Sequence, residues 1–140
     1  KRLIEEYQKH KRFPIPLKGE TIYYTGPTPG LPTHIIGSCG PTTSSRMDKF
    51  TTPLLKAGLK ATIGKGIRSE EIKDAIKKYK AVYFIAPAGA GAYIAKKVLK
   101  KELVLYKDLG PEAIYRLNVK DFPVIVGIDS KGRDFYEIHK

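Results

Sequence analysis

The stretch covering residues 69–86 constrains the fold of this chain more than any other. Ile72, Ala75, Ile76 and Tyr79 recur at i, i+3, i+4 and i+7, with glutamates in the first turn and lysines in the last. That spacing predicts an amphipathic helix over residues 69–79 whose charges match its dipole. Ala81-Val82-Tyr83-Phe84-Ile85-Ala86 follows at once, a nearly continuous apolar run of the kind found in strands covered on both faces. A helix that feeds directly into a buried strand is one unit of a layered α/β domain.

The rest of the chain repeats this alternation. Residues 1–12 read as a helix with Leu3, Ile4 and Tyr7 on one side, ended by Phe13-Pro14-Ile15-Pro16. Residues 21–25 read as a strand stopped by Gly26-Pro27. A Pro/Gly-rich loop then leads to the short apolar stretch His34-Ile35-Ile36. Residues 42–57 read as a helix with a hydroxyl-rich first turn, closed by Gly58 as a left-handed cap. Residues 60–63 read as a strand running into Gly64-Lys65-Gly66, and residues 88–100 as a helix with a small-residue start. Residues 103–106 and 123–129 read as further strands, Lys131-Gly132 as a turn, and Phe135-Tyr136 as the start of a closing strand. The 140 residues suit one compact domain, and no internal repeat or low-complexity linker divides them.

Composition narrows the function classes. The apolar runs are too short to span a bilayer, and Lys1-Arg2-Leu3-Ile4-Glu5-Glu6 lacks the apolar core of a signal peptide. A single cysteine, Cys39, excludes an internal disulfide and cannot alone hold a zinc or iron–sulfur site, so a reducing cytoplasm is the expected compartment. The formal charge of +12 suits an anionic substrate, an acidic protein surface or nucleic acid. Lysine pairs such as Lys77-Lys78 and Lys100-Lys101 fall on helix exteriors or ends and read mostly as a solvated face. Nucleic-acid binding is not expected. Tyr23-Tyr24 and Tyr83-Phe84 are adjacent within strands, so each pair sends one ring to each face rather than building a stacking platform.

The richest segment is Gly37-Ser38-Cys39-Gly40-Pro41-Thr42-Thr43-Ser44-Ser45-Arg46-Met47-Asp48. Glycine allows close backbone approach, proline is preset for a helix start, and four hydroxyls follow where a helix exposes unpaired amides. Arg46 lies four and three residues after Thr42 and Thr43, so on a helix the three share one face able to hold a carboxylate. The competing reading is plain N-capping with Arg46 solvated. Lys65 between two glycines could reach a ligand from an open, flexible backbone, or mark a surface turn. The spacing of Gly58, Gly64 and Gly66 does not make a nucleotide P-loop. Ala88-Gly89-Ala90-Gly91-Ala92 suits close helix–strand packing better than dinucleotide binding, since Ile94 stands where a third glycine or alanine belongs. His10, His34 and His139 are scattered without metal-ligand spacing. Cys39 reads as either a small buried filler or a thiol activated ahead of a helix.

Three segments carry a resemblance. Ile22-Tyr23-Tyr24-Thr25-Gly26-Pro27, then Gly37 through Asp48, then Ile63-Gly64-Lys65-Gly66 are similar to the beta subunit of class I fumarate hydratase and of the related L-tartrate dehydratase. Leu109-Gly110-Pro111-Glu112-Ala113-Ile114 and Val119-Lys120-Asp121-Phe122-Pro123 agree in order and rough spacing, so the likeness covers nearly the whole chain. It implies a beta-subunit domain over residues 1–140 with a swivelling β/β/α fold, and a hydro-lyase interconverting fumarate and L-malate, or alternatively dehydrating L-tartrate. It also implies a [4Fe-4S] cluster held by three cysteines of an alpha partner, or of an N-terminal domain of the same chain, and, for separate subunits, a heterotetramer of two alpha and two beta chains. Thr42 falls at the family's proposed proton-abstracting threonine, and Thr43, Arg46 and Lys65 at its carboxylate-binding residues. Asp48 is a candidate to activate Thr42. The family's Gly-Arg-Asp-x-x-His-Lys-Arg segment is expected ahead of Lys1 and would carry a further substrate-binding arginine. Cys39 stands where alanine is common. A basic, non-enzymatic binding module is the competing function.

Overall fold

The computed structural model describes residues 1–140 and is of the α/β class. Strands β1 (Thr21–Tyr23), β2 (Ala61–Gly64) and β3 (Val82–Ile85) run parallel, in that order, and β6 (Ile125–Ile128) pairs antiparallel with β3. Strands β4 (Val98–Leu105) and β5 (Ile114–Val119) form a separate antiparallel ribbon. Helices α1 (Arg2–His10), α2 (Asp48–Lys56), α3 (Glu70–Lys78), α4 (Gly91–Ala95) and α5 (Phe135–Ile138) complete the fold.

The strand register sorts side chains onto two faces. Ile22, Thr62, Tyr83 and Ile128 line up across the sheet on one face, and Tyr23, Ile63 and Phe84 on the other. The first face meets the main core, where Leu54 and Leu55 of α2 and Ile72 and Ile76 of α3 pack with Leu3, Ile4, Leu59, Ala81 and Tyr83. Ile72 and Ile76 are fully buried, a gain of roughly 2 kcal/mol or more each. The second face carries a smaller cluster of Ile36, Cys39, Ala86, Ile94 and Val98, edged by Tyr23, Ile63 and Phe122. The adjacent tyrosines therefore serve opposite layers: Tyr23 packs edge-on to Phe122, while the Tyr24 hydroxyl meets Thr51 Oγ1 at 3.1 Å.

Helix α3 forms where its periodicity places it, with Ser69 as N-cap accepting from the Ile72 amide. Gly58, at φ +104, closes the turn after α2 as expected. Three expectations are corrected. The helix expected over residues 42–57 begins only at Asp48, after a 3-10 turn (Ser44–Met47), because the backbone of 42–44 pairs with other strands instead. The helix expected over 88–100 lasts a single turn, since from Val98 onward pairing with β5 outweighs local propensity. The closing strand expected at Phe135 is helix α5, nucleated by Asp134, whose carboxylate accepts from the Tyr136 amide at 2.9 Å.

Lysine 73 ties α5 to α3. Its ammonium lies within bonding reach of three carboxylates, Glu70 at 2.6 Å, Asp134 at 3.3 Å, and Glu137. The hydrogen bond to Glu137 is the largest of the effects that raise the Lys73 pKa above the ordinary lysine value. That contribution is complete below the unfolded lysine pKa of about 10.4 and is lost only as pH rises through the folded value. The carboxyls of Glu137, Asp108 and Asp129 are held below their usual range, by Lys73, by the Arg2 fork, and by the Arg133 amide and side chain respectively. Depressed carboxylate values stabilise the fold above the unfolded pKa of about 4, and that support is lost as pH falls through the folded values. Thermal melts of the chain are expected to give a flat Tm from pH 7 to 5 and a fall below about pH 4. Lys73→Met is expected to lower Tm by several degrees at pH 7 and to flatten the acid limb. An unchanged acid limb would remove Lys73 as its partner.

Candidate active site

Parallel sheets gather their functional loops at the C-terminal ends of the strands. Here those ends are Tyr24–Gly26 after β1, Lys65–Gly66 after β2 and the Ala86–Gly91 loop after β3. The Gly37–Ser44 segment is threaded among all three. Thr25 Oγ1 donates to the Gly40 carbonyl at 2.8 Å, the Tyr23 hydroxyl to the Cys39 carbonyl at 2.6 Å, and the Cys39 amide to Gly91 at 3.2 Å. Gly91 has no room for a side chain, because a Cβ there would lie 2.2 Å from Ser38 Oγ.

The decisive contact is between residues 42–44 and the end of β2. The Thr42 amide donates to the Tyr24 carbonyl at 2.8 Å, the Lys65 amide to the Thr42 carbonyl at 3.3 Å, and the Ser44 amide to the Lys65 carbonyl at 3.0 Å. Thr43 and Lys65 thus form a parallel β-bridge. This corrects two sequence expectations. Thr42, Thr43 and Arg46 do not share a helical face, since Thr42 and Thr43 precede the helical turn and Arg46 lies on it. Lys65 is not on an open, flexible backbone, since both its amide and its carbonyl are bonded.

The four hydroxyls also divide. Ser44 is fully buried, while Thr42 and Ser45 are exposed and Thr43 is half-buried. Thr43 stands at the N-cap of the 3-10 turn yet makes no capping hydrogen bond, so plain capping does not account for it. Arg46 is exposed and Lys65 half-buried, and neither is ion-paired within the chain. Two uncompensated cations and free hydroxyls on a rigid backbone suit a carboxylate ligand. Asp48, the candidate to activate Thr42, is committed elsewhere: Arg68 Nε donates to one oxygen at 2.6 Å and the Ser69 amide to the other at 2.7 Å. Cys39 is completely buried, and burial raises its thiol pKa, which favours the small-filler reading over the reactive one.

The glycines flanking Lys65 have separate reasons. A Cβ at Gly64 would sit 1.9 Å from Ser44 Oγ, so the missing side chain is the space that Ser44 occupies. Gly66 adopts φ +82, a left-handed turn that redirects the chain after Lys65. Beneath them lies a group that sequence reasoning missed. The Tyr83 hydroxyl donates to the Gly66 carbonyl at 2.9 Å and lies 3.1 Å from Ser44 Oγ. A phenol has one proton and a carbonyl can only accept, so the Ser44 hydroxyl donates to the phenol oxygen. Burial pushes the Tyr83 pKa up to about 12, which keeps it a donor at neutral pH. The Arg68 guanidinium is stacked 4.9 Å from the Tyr83 ring centre and donates to Thr62 Oγ1 at 3.1 Å and Thr51 Oγ1 at 3.2 Å. One signal was available: a tyrosine in a continuous apolar strand must find a hydrogen-bond partner.

These features define a small α/β domain with a cationic, hydroxyl-bearing turn at its strand ends. Residues 1–139 match the family described as Fumarase C-terminus, and the chain belongs to that family. It is 36% identical over 138 residues to an aerobic class I fumarate hydratase of Salmonella typhimurium, with 97% of this chain and 24% of that protein covered. It is 38% identical over 141 residues to mitochondrial fumarate hydratase 1 of Leishmania major, covering 97% of this chain and 25% of that protein. Similarity to the L(+)-tartrate dehydratase subunit beta of Escherichia coli is 34% over 146 residues, covering all of this chain and 71% of that subunit. The chain thus spans about a quarter of the length of these fumarate hydratases and most of the dehydratase subunit.

Gly64→Ala is expected to cost about 2 kcal/mol through overpacking against Ser44. Adding Ser44→Ala should recover most of it, because the atom in conflict is removed. Denaturant melts of the two single variants and the double test this as a cycle, and strictly additive losses would refute the packing account.

Proposed function

We propose that this chain is the beta part of a hydro-lyase that hydrates fumarate reversibly to L-malate, with Thr42 abstracting the proton and Thr43, Arg46 and Lys65 gripping substrate carboxylate. The observation that carries the reading is the β-bridge of Thr43 with Lys65, which fixes a hydroxyl-rich turn beside a cation that has no internal partner. The family and the hydratase and dehydratase names of the relatives support the reaction class.

Dehydration of L-malate removes a weakly acidic proton next to one carboxylate and expels hydroxide from the neighbouring carbon. Negative charge then builds on that carboxylate as it takes aci-carboxylate character. Arg46 and Lys65 are the cations assigned to bind it, and a fixed cation stabilises such charge more than water does. The Thr42 hydroxyl is too weak a base at neutral pH without an activating group. Asp48 is held by Arg68 and the Ser69 amide, and we assign the activating group to a second polypeptide or domain. A [4Fe-4S] cluster, when bound, supplies a Lewis acid for the leaving hydroxyl. This chain does not fit it: Cys39 is the lone cysteine, and no three His, Cys, Asp or Glu side chains converge. We assign the cluster to an alpha partner or to an N-terminal domain of the same chain, and, where the two are separate subunits, to a cytoplasmic heterotetramer of two alpha and two beta chains.

A second reading has its own observation. The E. coli relative named for L(+)-tartrate is matched along the whole of this chain and is itself a separate subunit, so L-tartrate is the alternative substrate. Anaerobic co-expression with the cluster-bearing polypeptide, followed by fumarate absorbance on adding L-malate, tests both. Fumarate formed only when both chains and the cluster are present supports the first reading. Turnover of L-tartrate instead changes the substrate and keeps the class. Failure to form a complex overturns both and favours a basic binding module. Within an active complex, Arg46→Ala is expected to lower kcat/KM about a hundredfold, roughly 3 kcal/mol of transition-state stabilisation. Wild-type kcat/KM in that variant would refute the clamp.

A further inference from the structure

The Arg68 side chain is fully enclosed, an unusual place for a guanidinium, and it sits directly under the candidate site. Its partner Asp48 is two residues after Arg46, and Arg68 itself is three residues after Lys65. The ion pair therefore joins the segments carrying the two uncompensated cations, each on a short tether. The Tyr83 hydroxyl makes a second link between the same segments, through Gly66 and Ser44. Thr62 and Thr51 take two further donors of the Arg68 fork, and the Ser69 amide takes the other oxygen of Asp48. The guanidinium lies against the rings of Tyr24 and Tyr83, at 5.6 Å and 4.9 Å, and Tyr83 belongs to the main apolar core. A well-packed apolar filler stabilises such a core as well as a buried ion pair does, or better, so stability alone does not explain the pair. Its directional bonds hold two loops in one relation, which a filler cannot do.

We propose that the Arg68–Asp48 pair and the Tyr83 hydroxyl are positioning elements that fix Arg46 relative to Lys65 and so set the grip on a dicarboxylate, an inference that rests on the clamp reading above. Neither Arg68 nor Tyr83 touches substrate. Both act through the backbone that carries the clamp.

Two measurements test this. The first is amide hydrogen exchange on the full chain. Tyr83→Phe keeps the ring and removes the two hydrogen bonds. It is expected to speed exchange at the Lys65 and Ser44 amides about tenfold or more while amides within β2 stay protected. Unchanged protection at both amides would overturn the proposal. The second is kinetics of the complex with the cluster-bearing polypeptide. Tyr83→Phe, and the apolar double variant Arg68→Met with Asp48→Leu, are expected to raise KM for the dicarboxylate about tenfold, with kcat changed far less. Arg68→Lys should not rescue, because an ammonium lacks the fork that reaches Asp48, Thr62 and Thr51 together.

Lys73→Met is the control for general loosening, lowering Tm while leaving KM unchanged. If Tyr83→Phe or the double variant behaves like that control, the pair is merely structural and the proposal fails. Should the double variant not fold, Tyr83→Phe decides alone. If Arg46→Ala also leaves kcat/KM intact, the clamp reading itself has failed, and the exchange data still report whether the pair holds the two segments together.

Discussion

The junction that builds the site is made by main-chain hydrogen bonds. Thr42 gives its amide to Tyr24 and its carbonyl to Lys65, and Ser44 gives its amide back to Lys65. Because backbone groups make the junction, the side chains of Thr42, Thr43 and Lys65 are released from any structural duty. The arrangement extends the sheet order by a residue or two past the end of β2, where a parallel sheet presents its ligand crevice. It also demands a gap in the strand, and Gly64 provides that gap for Ser44. A function that needs a hydroxyl and a cation side by side is thus built from a β-bridge and one missing Cβ.

Elements with a strong local signal were legible in the sequence. The α3 periodicity with its Ser69 cap, the apolar β3 run and the Gly58 turn all form where local physics places them. Two of the misread helices share a cause, which is long-range pairing that no local window contains. Residues 42–57 have helical spacing, yet the Thr42 and Ser44 amides find Tyr24 and Lys65 first. Residues 96–101 look like the lysine-rich end of a helix, but Val98 begins a strand because β5 lies opposite. The short sequence at 135–138 went the other way: Asp134 supplied a cap bond that outweighed aromatic β-propensity. The candidate residues Thr42, Thr43, Arg46 and Lys65 were singled out by residue type, but the β-bridge between Thr43 and Lys65 was not legible. Arg68 gave no local sign, since a buried arginine is revealed only by what surrounds it.

The charge of the chain has a matching division. Arg2 is held by Asp108, Arg133 by Asp129, Arg68 by Asp48, and Lys73 by three carboxylates. Those cations are answered within the chain, and their work is structural. Arg46 and Lys65 are not answered, although Lys65 is bonded through both its amide and its carbonyl. A surface lysine without a partner is ordinary, but two unanswered cations beside a rigid turn of free hydroxyls are what the proposed preorganised electrostatic site requires. The +12 total is therefore a poor guide to function, and the placement of two charges a better one.

Why a charge should be buried under such a site follows from what each kind of contact specifies. Apolar packing rewards burial but tolerates sliding, so layers of leucine and isoleucine leave small displacements nearly free. A clamp cannot tolerate them, because its stabilisation of a developing charge falls with every fraction of an ångström of misplacement. Arg68 converts a permissive layer into a directional one. Its fork must meet Asp48, Thr62 and Thr51 at once, and Asp48 must meet both Arg68 and the Ser69 amide. That set of bonds joins α2, β2 and the cap of α3. The desolvation cost of the guanidinium is then the physical counterpart of geometric precision at the two loops above it.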